Sequence, residues 1–153
     1  MITDLDIVRY ARTWIGVPWV HQGRGEGPKK GIDCAGLLLV VARHFALPNG
    51  DMQGYRRDPA KGFQRNIMNH TVACKDKSLW NGAIAIFSDT NQPCHTGIFA
   101  VDPHTGKLTV IHSEAFPANR CHEENFDNRT PSLRDRLIAV RHFKEVDYGR
   151  RSS

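Results

Sequence analysis

Three residues in this chain have side chains that could together break an amide or ester bond: Cys34, His95 and His112. A cysteine sulfur attacks a carbonyl carbon when one imidazole takes up the thiol proton and a second polar group fixes that imidazole's tautomer and orientation. Cys34 opens the run Cys34-Ala35-Gly36-Leu37-Leu38-Leu39-Val40-Val41-Ala42, which reads as a helix apolar on every side and therefore buried. Unpaired amides and the helix dipole at that first turn favour an anion, so the sequence predicts a lowered thiol pKa. Read alone, Cys34 would be an ordinary small buried residue.

The histidines change that reading. Asp102-Pro103-His104-Thr105-Gly106-Lys107 is a strong turn, and it sets Val101 opposite Leu108 in a hairpin. Continued backwards, that register places Gly97 opposite His112 and His95 opposite Glu114. His95 and His112 then project from one sheet face as diagonal neighbours. His44, His70, His104 and His142 fall at boundary, helix-end or turn positions and are assigned no chemistry. Cys94-His95 and Cys121-His122 lack the spacing of a zinc site, so no metal is expected. Gly23-Arg24-Gly25-Glu26-Gly27 does not lie between a strand and a helix, as a phosphate loop would.

These residues need elements to position them. Thr3 can cap a first helix with Asp6 as its box partner, and Leu5, Val8, Ala11, Trp14 and Ile15 then form its apolar face. A long Gly- and Lys/Arg-rich loop over 19–32 follows, of the kind that usually carries function. The buried helix comes next, and then a weaker one after Asp58-Pro59 with Phe63, Ile67 and Met68 inward. From Ala83 the period changes to that of strands: 83–87, 96–101, 108–112 and 137–143 are short, β-rich and separated by turn residues. The expected fold class is α+β, with the buried helix packed across one face of a C-terminal antiparallel β-sheet.

A length of 153 residues suits one domain, expected over 1–146, with 147–153 a frayed tail. The longest apolar run falls well short of the roughly 20 residues that span a bilayer, so no membrane span is expected. The start lacks a secretory signal, which implies synthesis and folding in the cytoplasm and free thiols. The net charge of +5 is carried by short basic pairs, which read as solvated surface and not as a specific nucleic-acid footprint.

Trp14-Ile15-Gly16-Val17-Pro18-Trp19, Gly31-Ile32-Asp33-Cys34-Ala35-Gly36-Leu37-Leu38, Gly82 to Phe87, His95-Thr96-Gly97-Ile98-Phe99 and Ile111-His112-Ser113 resemble, in order, the motifs of the NlpC-type cell-wall peptidases. The resemblance covers nearly the whole chain. It is nearest to the short kind encoded with phage tails, prophages and gene transfer agents. It implies a papain-like fold, with Cys34 the nucleophile, His95 the general base and then acid, and His112 the orienting group. No cofactor is implied. The implied substrate is the peptide stem of peptidoglycan, commonly cut between D-glutamate and a diamino acid, and the implied partners are other phage-like tail proteins. The implied place of action is the cell wall, as part of a phage-like particle.

Where most relatives carry Tyr, this chain has Trp19, which can donate a hydrogen bond but has no hydroxyl. Candidates for the oxyanion or substrate contacts are Trp19, His21, Gln22 and Asp33, alongside the backbone amide of Cys34. Ala83 stands where relatives have Asp. Two other readings are a non-catalytic, wall-binding or structural component of a tail tip, and a cysteine amidase or acyltransferase of the same fold.

Overall fold

A computed structural model describes residues 1–27, 30–50, 61–89, 92–129 and 132–149. Helix α1 spans Asp4–Arg12, α2 spans Cys34–His44 and α3 spans Lys61–His70. Strand β1 is Thr71–Ala73, β2 is Ile84–Asp89, β3 is Gln92–Val101, β4 is Leu108–Glu114 and β5 is Arg120–Asn125. A one-turn α4, Leu133–Arg136, leads into β6, Leu137–Phe143. The strands form one antiparallel sheet in the order β1-β6-β2-β3-β4-β5. The α+β architecture is thus the one expected.

Alternation along the strands divides the core. Ile84, Ile86, Ile98, Ala100 and Ile111 pack with α2 and α1 on one face. Ala83, Ala85, Phe87, Phe99 and Val110 pack with Phe126, Leu133 and Tyr148 on the other. Covering both faces explains why 83–87 is apolar at every position and does not alternate with polar residues. All nine residues of α2 from Cys34 to Ala42 are buried, so this helix is the hub that its composition predicted.

Several expectations need correction. Thr3 and Asp6 do form the capping box of α1, yet Leu5 is 52% and Ile15 42% exposed. The buried face runs through Asp4, Ile7, Val8 and Ala11, because α1 rests on the sheet and α2 together and so turns further round its axis than the apolar pattern suggested. The end expected to fray from residue 147 is docked as far as Gly149. Asp147 pairs with Thr3, its amide donating to the Ile2 carbonyl at 2.8 Å. The Tyr148 hydroxyl donates to the Gly82 carbonyl at 3.2 Å and its ring stacks on His142. Residues 150–153 lie outside the described residues, as does the Phe63 side chain; Ile67 is buried as expected.

Strands β1 and β5 were not foreseen. Arg120-Cys121-His122-Glu123-Glu124-Asn125 carries no β-branched residue and almost no apolar one, so its propensity argues against a strand. Pairing with Thr109–Glu114 of β4 overrides that preference.

Candidate functional site

The site begins with Asp33, the N-cap of α2. Its Oδ1 accepts from the Gly36 amide at 2.7 Å, ending one of the unpaired donors of the first turn. The same oxygen faces Arg24 Nη1 at 3.1 Å, with both side chains 5% exposed. Its Oδ2 accepts from the Gln22 amide at 2.9 Å. Asp33 thus braces the 19–27 loop against the helix. Gly36 permits this closeness, since a Cβ there would stand 2.1 Å from the Gly23 carbonyl oxygen. Two buried hydroxyls tie the sheet to the same point: Ser113 donates to the Ile32 carbonyl at 2.7 Å and Thr96 to the Cys34 carbonyl at 3.2 Å.

Cys34 is nearly enclosed, and hydrogen bonding by Thr96 and by the Ala35 backbone favours its thiolate. Burial, followed by the nearby Asp33 carboxylate, pushes the Cys34 thiol up to about 12, and those hydrogen bonds offset only part of the rise. The direction is opposite to the one predicted from the helix terminus. Desolvation of the thiolate outweighs the dipole where α2 starts beneath β3 instead of at the surface. His95 is also displaced, well below its usual value, by burial and by the neighbouring His112. Both groups therefore rest neutral, Cys34 as a thiol and His95 as an imidazole. Iodoacetamide labelling of Cys34 should still be climbing at pH 9.0, the ordinary thiol value; a plateau already reached near about pH 6 would show a preformed ion pair instead.

The hairpin register is the one expected, Val101 opposite Leu108 and Ile98 opposite Ile111. His95 and His112 meet on the face that carries Phe87 and Phe99, with His95 Nε2 2.7 Å from His112 Nδ1. Gly97 lies between them because a Cβ there would press within 3.1 Å of His112 Cβ and 2.7 Å of a Val110 methyl. Thus Cys34 touches Thr96 while His95, the preceding residue on β3, holds His112.

His112 is fully buried, and beyond it lies a network that the sequence reading missed. His112 Nε2 is 2.8 Å from Glu124 Oε2. His122 Nε2 lies 2.9 Å from Glu114 Oε1 and 3.1 Å from Glu124 Oε2. The Arg129 guanidinium bonds both carboxylates, Nε reaching Glu124 Oε1 at 2.7 Å. Bonds from His122 and Arg129 to Glu114, and from His112 and Arg129 to Glu124, hold both carboxyls down to about 2 against the opposing effect of burial. Alternation along β5 puts His122 and Glu124 on one side, and that period-two pattern was the available signal. Donor atoms of His112, Glu114, His122 and Glu124 lie within 4.8 Å of one another, a set able to hold a divalent cation. Here the guanidinium of Arg129 meets their negative charge.

Of the oxyanion candidates, Trp19 is bridged to Ile32 and its amide donates to the Asn119 carbonyl at 3.3 Å. Gln22 adopts a left-handed backbone (φ 56°), and its side-chain nitrogen lies 3.4 Å from His21 Nε2. His21 and Gln22 line a surface cleft with Val20, Arg24, Glu26 and Arg43.

No family model matches the sequence, and no curated protein does. Solved structures do match. A protein of the NLPC/P60 family from Bacillus cereus superposes with a TM-score of 0.65 over 92% of this chain at 18% identity. The fold is of the NlpC/P60 type. A lipoprotein-like NLP/P60 protein from Staphylococcus aureus gives 0.60 over 90% at 18% identity, and the NlpC/p60 domain of the peptidoglycan hydrolase SagA gives 0.57 over 93% at 15%. The chain spans 40% of each of the first two proteins and all of the SagA domain. Among the described residues no helix is long and apolar enough to cross a membrane.

Proposed function

We propose that this chain is a cysteine endopeptidase that hydrolyses an amide in the peptide stem of peptidoglycan, between D-glutamate and a diamino acid, in association with a phage-like tail. The observation that carries the reading is the His95–His112 hydrogen bond one residue along β3 from the contact of Cys34 with Thr96, within an NlpC/P60 fold. The tail association rests on the sequence resemblance alone.

Because both groups rest neutral, proton transfer accompanies attack. As the Cys34 sulfur bonds to the carbonyl carbon, its proton passes to His95 Nδ1, the ring nitrogen not engaged by His112. The oxyanion is met by the Cys34 amide with Gln22 or Trp19. His95 gives the proton to the departing amine as the C–N bond breaks, leaving a thioester. Water then attacks the thioester, with its proton taken by His95 and returned to the sulfur as the acid leaves.

The burial of Cys34 and its raised thiol pKa favour a second reading, in which the same fold binds wall peptides without turnover. Digestion of defined muropeptides separates the two. The endopeptidase releases paired fragments with a new amine on the diamino acid, seen by mass spectrometry. Retention of intact muropeptide on the protein, with no fragments, establishes the binding module.

A further inference from the structure

We propose that Glu124 is a positioning residue, resting on the endopeptidase reading above: through His112 it sets which nitrogen of His95 carries the proton. The inference follows from what each atom can do in a row of hydrogen bonds. Glu124 Oε2 lies 2.8 Å from His112 Nε2, and His112 Nδ1 lies 2.7 Å from His95 Nε2. Arg129 bonds both oxygens of Glu124, and His122 approaches the same Oε2 at 3.1 Å. A carboxylate held in that way is an acceptor only. The hydrogen on His112 must then sit on Nε2 and point at Glu124.

Full burial disfavours a charged His112 and holds its pKa below the usual value. A neutral ring with its hydrogen on Nε2 offers a lone pair at Nδ1. That lone pair can only accept, so His95 must present Nε2–H to it. The His95 lone pair is thereby left on Nδ1, the nitrogen that the proposed reaction uses to take the thiol proton. Had an amide nitrogen stood at Glu124 Oε2, every proton in the row would move to the other nitrogen and His95 Nδ1 would be blocked. Nothing in the identity of His112 alone decides between the two arrangements. The carboxylate on β5 does.

Among the described residues, the other charged groups acting on the row include Glu114, 3.9 Å from His112 Nδ1, His122 beside His112, and the basic Arg129 and Arg136, whose charges reach His95. Glu114 bonds Arg129 and His122 as Glu124 does, but is beyond hydrogen-bond distance of the His112 ring. It is therefore the comparator for a merely structural role.

The experiment records imidazole 15N shifts of the wild-type protein, Glu124→Gln and Glu114→Gln, together with muropeptide kinetics of each. In the wild type, His112 and His95 should both show the Nε2–H tautomer with Nδ1 unprotonated. Glu124→Gln should give mixed or reversed tautomers and lower kcat about 10–100-fold, with KM within about 2-fold. Glu114→Gln should keep the wild-type tautomers. A wild-type His112 protonated on Nδ1, unchanged tautomers in Glu124→Gln, or an equal loss of kcat in Glu114→Gln would each overturn the proposal. The tautomers are read without substrate, so a protein that shows them yet cleaves nothing sinks the endopeptidase reading and leaves the proton arrangement standing. Should Glu124→Gln fail to fold, Glu124→Asp supplies the test, since a shortened carboxylate must still orient the Nε2–H of His112 while weakening its hold.

Discussion

Replacing Cys34 with alanine is expected to reduce muropeptide hydrolysis by about 10⁴-fold or more, the scale on which a nucleophile and its base act as one unit. His95→Ala should cost a similar factor, and the double variant little more than either, because neither residue is useful to the other once one is gone. Folding should survive. Cys34 sits at the start of a capped helix whose buried contacts come from Leu37, Leu38 and Val41, and trading a thiol for a methyl there removes one atom at a cost of about 1 kcal/mol. Thermal unfolding by circular dichroism checks that the loss is chemical. Hydrolysis by Cys34→Ala at a rate comparable to wild type would remove Cys34 from the reaction.

Asp33→Ala should be the most destabilising single change near the site. It deletes the cap of α2, the anchor of the Gln22 amide and the carboxylate facing the buried Arg24. Breaking a buried pair by removing one partner costs about 3–5 kcal/mol, because the other charge stays desolvated. For a chain of this size that lowers Tm by roughly 6–20 °C, measurable by scanning calorimetry. Activity should fall too, since the loop bearing Trp19, His21 and Gln22 loses its tie to the helix. A Tm within about 2 °C of wild type would mean that the Asp33–Arg24 pair contributes no net stability.

Acid sensitivity should follow from the same buried network. Glu114 and Glu124 are held near 2 in the folded protein against 4.5 ordinarily. The stability they contribute is fully present above pH 4.5 and is lost as pH falls from there toward 2.

Some of this was legible in the residues. The pairing of His95 with His112 follows from a strong turn at 102–107 and the period of two along a strand, both local properties. The position of Cys34 at a helix start follows from the Asp33 cap and the apolar run behind it. The antiparallel sheet follows from β-rich segments too short and too regularly punctuated to be helices. What failed was whatever depended on neighbours distant in the chain. Strand β5 exists because β4 pairs with it, against its own propensity, and until that strand is recognised the period-two placement of His122 and Glu124 cannot be read and Arg129 gives no signal. Residues 147–149 are ordered by Gly82 and Ile2, far away in sequence. The direction of the Cys34 shift is the plainest case. The helix terminus is a local feature and argues for a thiolate, whereas the desolvation that outweighs it comes from the burial of Cys34 in the folded core. Local sequence determined which residues could do chemistry and on which element each stands; only tertiary packing decided how dry they are, what charge they carry and which proton lies on which nitrogen.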